Sequence, residues 1–260
     1  MSAGTGGSIN AIEVDHAGQS FGGRVIFQDV TFSVAEGEVF VVLGGSGCGK
    51  STLLKQMIGL LTPTSGRISV GGHDVVTEVR AVRREIGVMF QSGALFGSMT
   101  LLENVMLPLR MFTDLPARAR AEIARIKLAL VGLGEAVNLL PSEISGGMAK
   151  RAAIARALAL DPPILILDEP SAGLDPITGA GLDRLILELR AALGCTFVVV
   201  THELMSIFAI ADRCVMLDRT ARGMIALGTP RDLQQSSDHP TVRAFFNRDA
   251  ESMDVQKELR

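Results

Sequence analysis

The 260-residue chain contains no tryptophan and no tyrosine, so its aromatic faces come from 11 phenylalanines alone. Its three cysteines, Cys48, Cys195 and Cys214, are scattered, with no Cys-x-x-Cys pair and no neighbouring histidine. That excludes a disulfide framework and a thiolate metal site, and fits reduced thiols in a cytoplasmic compartment. Positive charge is not in excess: 25 Lys and Arg against 28 Asp and Glu leave a net charge of -3, with a pI near 5.8. There is therefore no electrostatic case for nucleic acid as a main partner, and the local cluster Arg80, Arg83 and Arg84 reads as a solvated helix face. No run approaches the roughly 18 apolar residues that span a bilayer. The start, MSAGTGGSINAIE, lacks the basic and apolar regions of a secretory signal. If the chain serves a membrane process, another subunit is expected to cross the membrane. Internal repeats and sustained heptads are also missing. What remains is ample core material, with 47% hydrophobic and 20% charged residues, in a length that suits one large domain or a core with a subdomain.

Apolar runs rich in β-branched residues predict strands at INAIEV, IFQDVTFSV, VFVVLG, GRISV, IGVMF, ILILD, TFVVVT and CVMLD. Helices are expected at KSTLLKQMIGLL, at PARARAEIARIKLALVGL with Pro116 in its first turn, and at PITGAGLDRLILELRAAL. The last follows Asp175, a good N-cap, and repeats apolar residues at Leu182, Leu185, Ile186, Leu189 and Leu193. Strand–helix alternation in the first and last thirds predicts an α/β core. The early strands, joined by short turns such as AEGE, predict an antiparallel edge, and residues 92–160 read as a helical insertion. The expected division is a flexible N-terminus at 1–8, a main domain at 9–235 and a polar C-terminal extension at 236–260.

The stretch Gly44-Gly45-Ser46-Gly47-Cys48-Gly49-Lys50-Ser51-Thr52 matches G-x-x-x-x-G-K-[ST] between a predicted strand and a predicted helix. Glycines let successive N–H groups converge on phosphate oxygens, and the helix N-terminus adds a favourable dipole. Lys50 is expected to neutralise the β- and γ-phosphates and Ser51 to ligate magnesium. Cys48 fills a free position in the loop and receives no chemistry, although its alkylation would obstruct nucleotide binding. Further on, ILILDEP predicts a buried strand ending in Asp168, placed to hold magnesium, and Glu169, placed to polarise an attacking water. About two dozen residues before that strand's end lies Ile144-Ser145-Gly146-Gly147-Met148, where Ser145 can cap a helix and Gly146 and Gly147 let its first N–H groups approach an anion.

Taken in order, these motifs resemble the nucleotide-binding subunit of an ATP-binding cassette (ABC) transporter, from about residue 10 to about residue 235. The resemblance implies a RecA-like P-loop core with an antiparallel β edge and an inserted helical subdomain. It further implies that Phe21, in QSFGGRVIF, stacks on adenine, and that Gln91, in VMFQSG, links the γ-phosphate and magnesium to a membrane partner. ISGGM then matches the signature that meets ATP bound to a second subunit, and SAGLD, ending at Asp175, matches the loop crossing between subunits. His202, in VVVTHEL, matches the switch histidine at the γ-phosphate. Two chains would thus sandwich two ATP molecules, with hydrolysis reopening the dimer.

Two segments, MFQSGALFGSMTLLENVMLPLR and SGGMAKRAAIARALAL, resemble the ATPases of Mla-type systems, which move phospholipid between bacterial membranes with an integral permease and MCE-type substrate-binding proteins. Most ABC ATPases carry Gln where this chain has Met148. That resemblance implies a homodimer on the cytoplasmic face of the inner membrane, with apolar Leu95, Phe96 and Met99 as candidates for the permease contact or for burial. The alternatives are an ABC ATPase for another small hydrophobic substrate, a soluble ABC ATPase of translation or DNA repair, and a P-loop kinase. One cassette without heptads counts against translation and repair, and a kinase leaves the signature and His202 without a role.

Overall fold

The computed structural model describes residues 10–248. Its strands are β1 (Asn10–Phe21), β2 (Arg24–Ala35), β3 (Val39–Gly44), β4 (Ser65–Val70), β5 (His73–Asp74), β6 (Ile86–Met89), β7 (Ile164–Asp168), β8 (Thr196–Val200), β9 (Arg213–Asp218) and β10 (Gly223–Gly228). The helices are α1 (Lys50–Met57), α2 (Val79–Glu85), α3 (Leu101–Phe112), α4 (Ala117–Leu130), α5 (Gly146–Ala157), α6 (Pro176–Leu193), α7 (Leu204–Ile210), α8 (Pro230–Ser236) and α9 (Pro240–Asn247). They build two sheets. One is antiparallel, in the order β2-β1-β4-β5; the other runs β10-β9-β3-β8-β7-β6 and is parallel except for β10.

The six-stranded sheet is apolar on both faces because both are covered. Successive side chains of a strand point to opposite faces, and the sheet accordingly feeds two separate cores. Val39, Val41, Leu43, Leu165, Leu167 and Val199 pack with helices α3 to α7 and α9. Their neighbours Phe40, Val42, Ile164, Ile166, Val198 and Val200 pack with α1 and the antiparallel sheet. Between β6 and β7 the chain makes no strand; α3, α4 and α5 lie there on the first core. α3 is set by a full capping box, Thr100 with Glu103. α6 starts at the Asp175 cap with Pro176 in its first turn and stops at Gly194, φ 68°.

Several expectations shift. α1 stops at Met57 rather than running through Leu61, because Gly59 turns left-handed at φ 65° and its N–H returns to Gln56 O. Pro116 is the N-cap of α4, one position before the first turn. Leu193, the last residue of α6, is 40% exposed, whereas Leu182, Leu185, Ile186 and Leu189 are buried. β10 is an additional edge strand whose glycine-bounded sequence GMIALG carries few β-branched residues. Arg80, Arg83 and Arg84 do lie exposed on α2, with Val82 turned inward. Of the expected C-terminal extension, α9 buries Val242 and Phe246 in the larger core. The expected flexible N-terminus at 1–8 and the rest of the tail, 249–260, lie outside the described residues.

Candidate active site

The C-terminal ends of β3, β7 and β8 meet along one edge of the parallel sheet. Val42 pairs with Val200, and Val200 with Asp168, so the chain leaves the sheet at Gly44, Asp168 and Val200 side by side. Crevices outside this edge are where open α/β sheets hold ligands. The loop after β3 needs its glycines: Gly44 has φ 145° and a Cβ there would sit 2.2 Å from Leu217 O, while Gly49 has φ 106° and its Cβ would meet Phe27 at 2.6 Å. The loop ends at Gly49 as the N-cap of α1, which supplies no side-chain cap. No side-chain cap therefore stands between the first turn of α1 and an anion. Lys50 lies across the same loop, its ammonium donating to Gly44 O at 2.8 Å and Gly45 O at 3.1 Å. Gly45, Ser46, Gly47 and Ser51 are exposed, with Thr52 half-buried behind them. Cys48 turns the other way. Its thiol is in the core, and burial pushes its pKa up, so the residue offers the site only its backbone and is a poor target for alkylation.

At the end of β7 the backbone turns sharply. Glu169 has φ 47°, a conformation that costs a non-glycine residue about 1–3 kcal/mol. It is held there by Glu169 N donating to Val200 O at 2.8 Å, and by its carbonyl accepting from Ala172 N and from Lys150 Nζ, both at 3.2 Å. The Glu169 carboxylate, only 11% exposed, accepts from His202 Nδ1 at 2.8 Å, and the imidazole is 62% exposed. An ionised carboxylate can only accept, so with that form the bond uses the Nδ1–H tautomer of the imidazole. Oε2 of Glu169 is buried with no protein partner, an acceptor available to a water. Beside it, burial and then repulsion from Glu169 raise the pKa of Asp168, while Lys50, Lys150 and Lys55 oppose the rise. A cation would offset that repulsion. The hydroxyl of Ser51, the carboxamide of Gln91 and the carboxylate of Asp168 are all oxygen donors, the set that suits magnesium.

A second group forms where α5 meets α6. Ser145 caps α5, accepting from Met148 N at 3.3 Å. Asp175 caps α6, accepting from Ile177 N and Thr178 N, both at 3.0 Å. Gly147 makes this proximity possible, since a Cβ there would lie 2.5 Å from Thr178. Gly146 is exposed beside Leu174. Among the described residues no hydrogen bond joins 145–147 to 44–52. Phe21 stands apart too, 49% exposed at the tip of the β1–β2 hairpin. Met148 packs partly buried on the larger core. Phe96 is exposed, and Leu95 and Met99 are half-buried. The sequence reading did not single out Lys150 and Arg156 of α5. Lys150 reaches Gln91 O and Glu169 O, and Arg156 donates to Ala94 O at 2.7 Å and Gly93 O at 2.8 Å. The available signal was three cations, Lys150, Arg151 and Arg156, inside an alanine-rich helix that packs on the core.

The family model described as ABC transporter matches residues 27–172. The chain is 45% identical, over 91% of its length, to a Mycobacterium tuberculosis protein named "Probable ribonucleotide transport ATP-binding protein mkl", of which it spans 66%. It is 40% identical to the intermembrane phospholipid transport system ATP-binding protein MlaF of Escherichia coli, covering 92% of this chain and 89% of MlaF, and 42% identical to MlaF of Haemophilus influenzae, covering 90% and 89%. Among solved structures, a dimeric form of the bacterial ABC transporter cassette MJ0796 superposes with a TM-score of 0.75 at 31% identity, over 84% of this chain and 98% of the other. CbiO1 of Clostridium perfringens, part of an ABC transporter complex, gives 0.80 at 26% identity, over 95% and 99%. The glycine loop after β3, the acidic end of β7, His202 and the Ser145-capped helix all stand in one cassette fold, and the chain belongs to the ABC transporter family as an ATP-binding cassette subunit.

Proposed function

We propose that the chain is the ATP-hydrolysing subunit of an ABC transporter that moves phospholipid between the inner and outer membranes. The observation that carries hydrolysis is the buried Glu169 carboxylate, bonded to His202 on one oxygen and without a protein partner on the other, beside the Lys50 loop. Lys50 and the loop N–H groups would hold the phosphates and Phe21 would stack on the base. Glu169 would take the proton of the attacking water, with His202 fixing its direction. Ser51, Gln91 and Asp168 would hold magnesium, which when bound neutralises charge developing on the phosphates. The signature Ser145, Gly146 and Gly147 and the Asp175 loop would complete the site of a second copy, a reading supported by the dimeric cassettes among the solved neighbours.

The cargo follows the MlaF relatives, which the chain matches along about nine-tenths of both lengths, rather than the longer mycobacterial proteins, of which it spans 66%. The described residues include no helix long and apolar enough to cross a membrane. By likeness to the MlaF relatives, the subunit would work from the cytoplasmic face of a bacterial inner membrane against an Mla-type permease, which in turn serves an MCE-type protein. Exposed Phe96 and half-buried Met99 are candidates for that contact. The test has two arms. Glu169→Gln should keep ATP binding, lose most turnover and accumulate as a dimer; undiminished turnover removes Glu169 from the role of base. Purification of the complex from membranes, with mass spectrometry of subunits and lipid, should find a permease and phospholipid. Recovery of the chain without a permease would overturn transport.

A further inference from the structure

Lys150 is a buried ammonium, 9% exposed, one turn into α5 from Ser145. Burial of a cation is unfavourable unless its donors are satisfied, and burial indeed lowers its pKa while Glu169 and Asp168 oppose the fall. Its partners are two main-chain carbonyls from separate segments, Gln91 O after β6 and Glu169 O after β7. Glu169 O belongs to the residue at φ 47°, so the ammonium helps hold the turn that aims this carboxylate. Further along the same helix, Arg156 grips the carbonyls of Gly93 and Ala94. Both Gly93 and Ala94 have positive φ, 71° and 49°. α5 thus holds the Gln91–Ala94 segment at two points and the Glu169 turn at one.

We propose that Lys150 is a positioning residue for hydrolysis, tying Gln91 and Glu169 to the helix whose N-terminus carries Ser145. A shift of α5 when Ser145 meets a second copy is then transmitted to both residues through one ammonium. This rests on the reading of Glu169 as the base.

Lys150→Met keeps length and apolar stem but removes every donor, leaving Glu169 O with Ala172 N alone. Misplacement of a catalytic group by about 1 Å costs on the order of 100-fold. In the full-length chain within its membrane complex, kcat for ATP should fall about 10–100-fold, while KM and nucleotide affinity stay within about twofold. Lys150→Arg, which restores donors, should recover most of kcat. A role confined to packing would instead lower the melting temperature without separating kcat from KM, and Arg would not rescue. Should Lys150→Met fail to fold, Lys150→Leu, which likewise has no donor, carries the same measurement. Glu169→Gln is run beside it. Undiminished turnover there overturns the base assignment and this proposal with it. Lost turnover there beside unchanged kcat in Lys150→Met overturns the role of Lys150 alone.

Discussion

Replacing His202 by alanine isolates one hydrogen bond in the candidate site. The imidazole Nδ1–H to Glu169 Oε1 contact is 2.8 Å long, with the carboxylate 11% exposed and the imidazole 62% exposed. A hydrogen bond to a charged group contributes about 1.5–3 kcal/mol, and each 1.4 kcal/mol or so is tenfold in rate. The exposed side of the imidazole lets water replace part of the contact, which places the expectation near the lower bound, about 10–30-fold in kcat. The other carboxylate oxygen has no protein partner to compensate. Phosphate release at saturating ATP measures kcat, and a substrate titration gives KM. The loss should sit in kcat, because the bond directs the base rather than holding the ground-state nucleotide. His202→Asn, whose amide can donate from a nearby position, should recover part of the rate. A His202→Ala enzyme with kcat within twofold of the native value, or with the whole loss in KM, would refute the reasoning.

The loop and the surface give two further predictions. Gly44→Ala should destabilise the fold by about 2 kcal/mol or more, since its Cβ would press on Leu217 O at φ 145°, whereas Gly45→Ala, with open space around the added Cβ, should be near neutral; urea unfolding of the pair checks the contrast. Asp74 has its pKa lowered to about 2, chiefly by accepting from Thr77 N and then from Val76 N, with Arg67 adding to it. Because the folded value lies below the ordinary carboxylate value of about 3.9, the stabilisation is present above about pH 4 and is lost as pH falls toward 2. The melting-temperature gap between native protein and Asp74→Asn should close over that window; a gap that stays constant with pH contradicts the assignment.

Much of the site was legible because its signals are local. The loop from Gly44 to Thr52 declares itself by glycines at fixed spacing, and β7 by four apolar residues followed by two acids. Asp175 and Ser145 are caps, and a cap is read from its immediate neighbours. The fold class followed from the alternation of periodicities. Lys150 and Arg156 were not legible, because their meaning depends on carbonyls 59 and 62 residues away in sequence. Cys48 likewise sits in a motif position open to any residue, and only packing against the second core shows its thiol turned inward. The early end of α1 was missed because Gly59 is compatible with helix at a modest cost, and tertiary context decided for the turn. β10 gains its strand character from pairing with β9 rather than from its own composition.

The turn at Glu169 has a consequence for how sequence variation there is judged. Along a strand, neighbours face opposite ways, so a regular continuation of β7 would send residues 168 and 169 to different sides of the wall between the two cores. Leaving the strand at φ 47° lets two adjacent acids serve a single edge, close enough for Asp168 to feel the charge of Glu169. Position 169 therefore filters residues first by backbone and only afterwards by acidity. A β-branched occupant is disfavoured before any chemistry is asked of it, so an inactive Glu169→Val protein reports on geometry, and only replacements that tolerate the left-handed turn report on the proton.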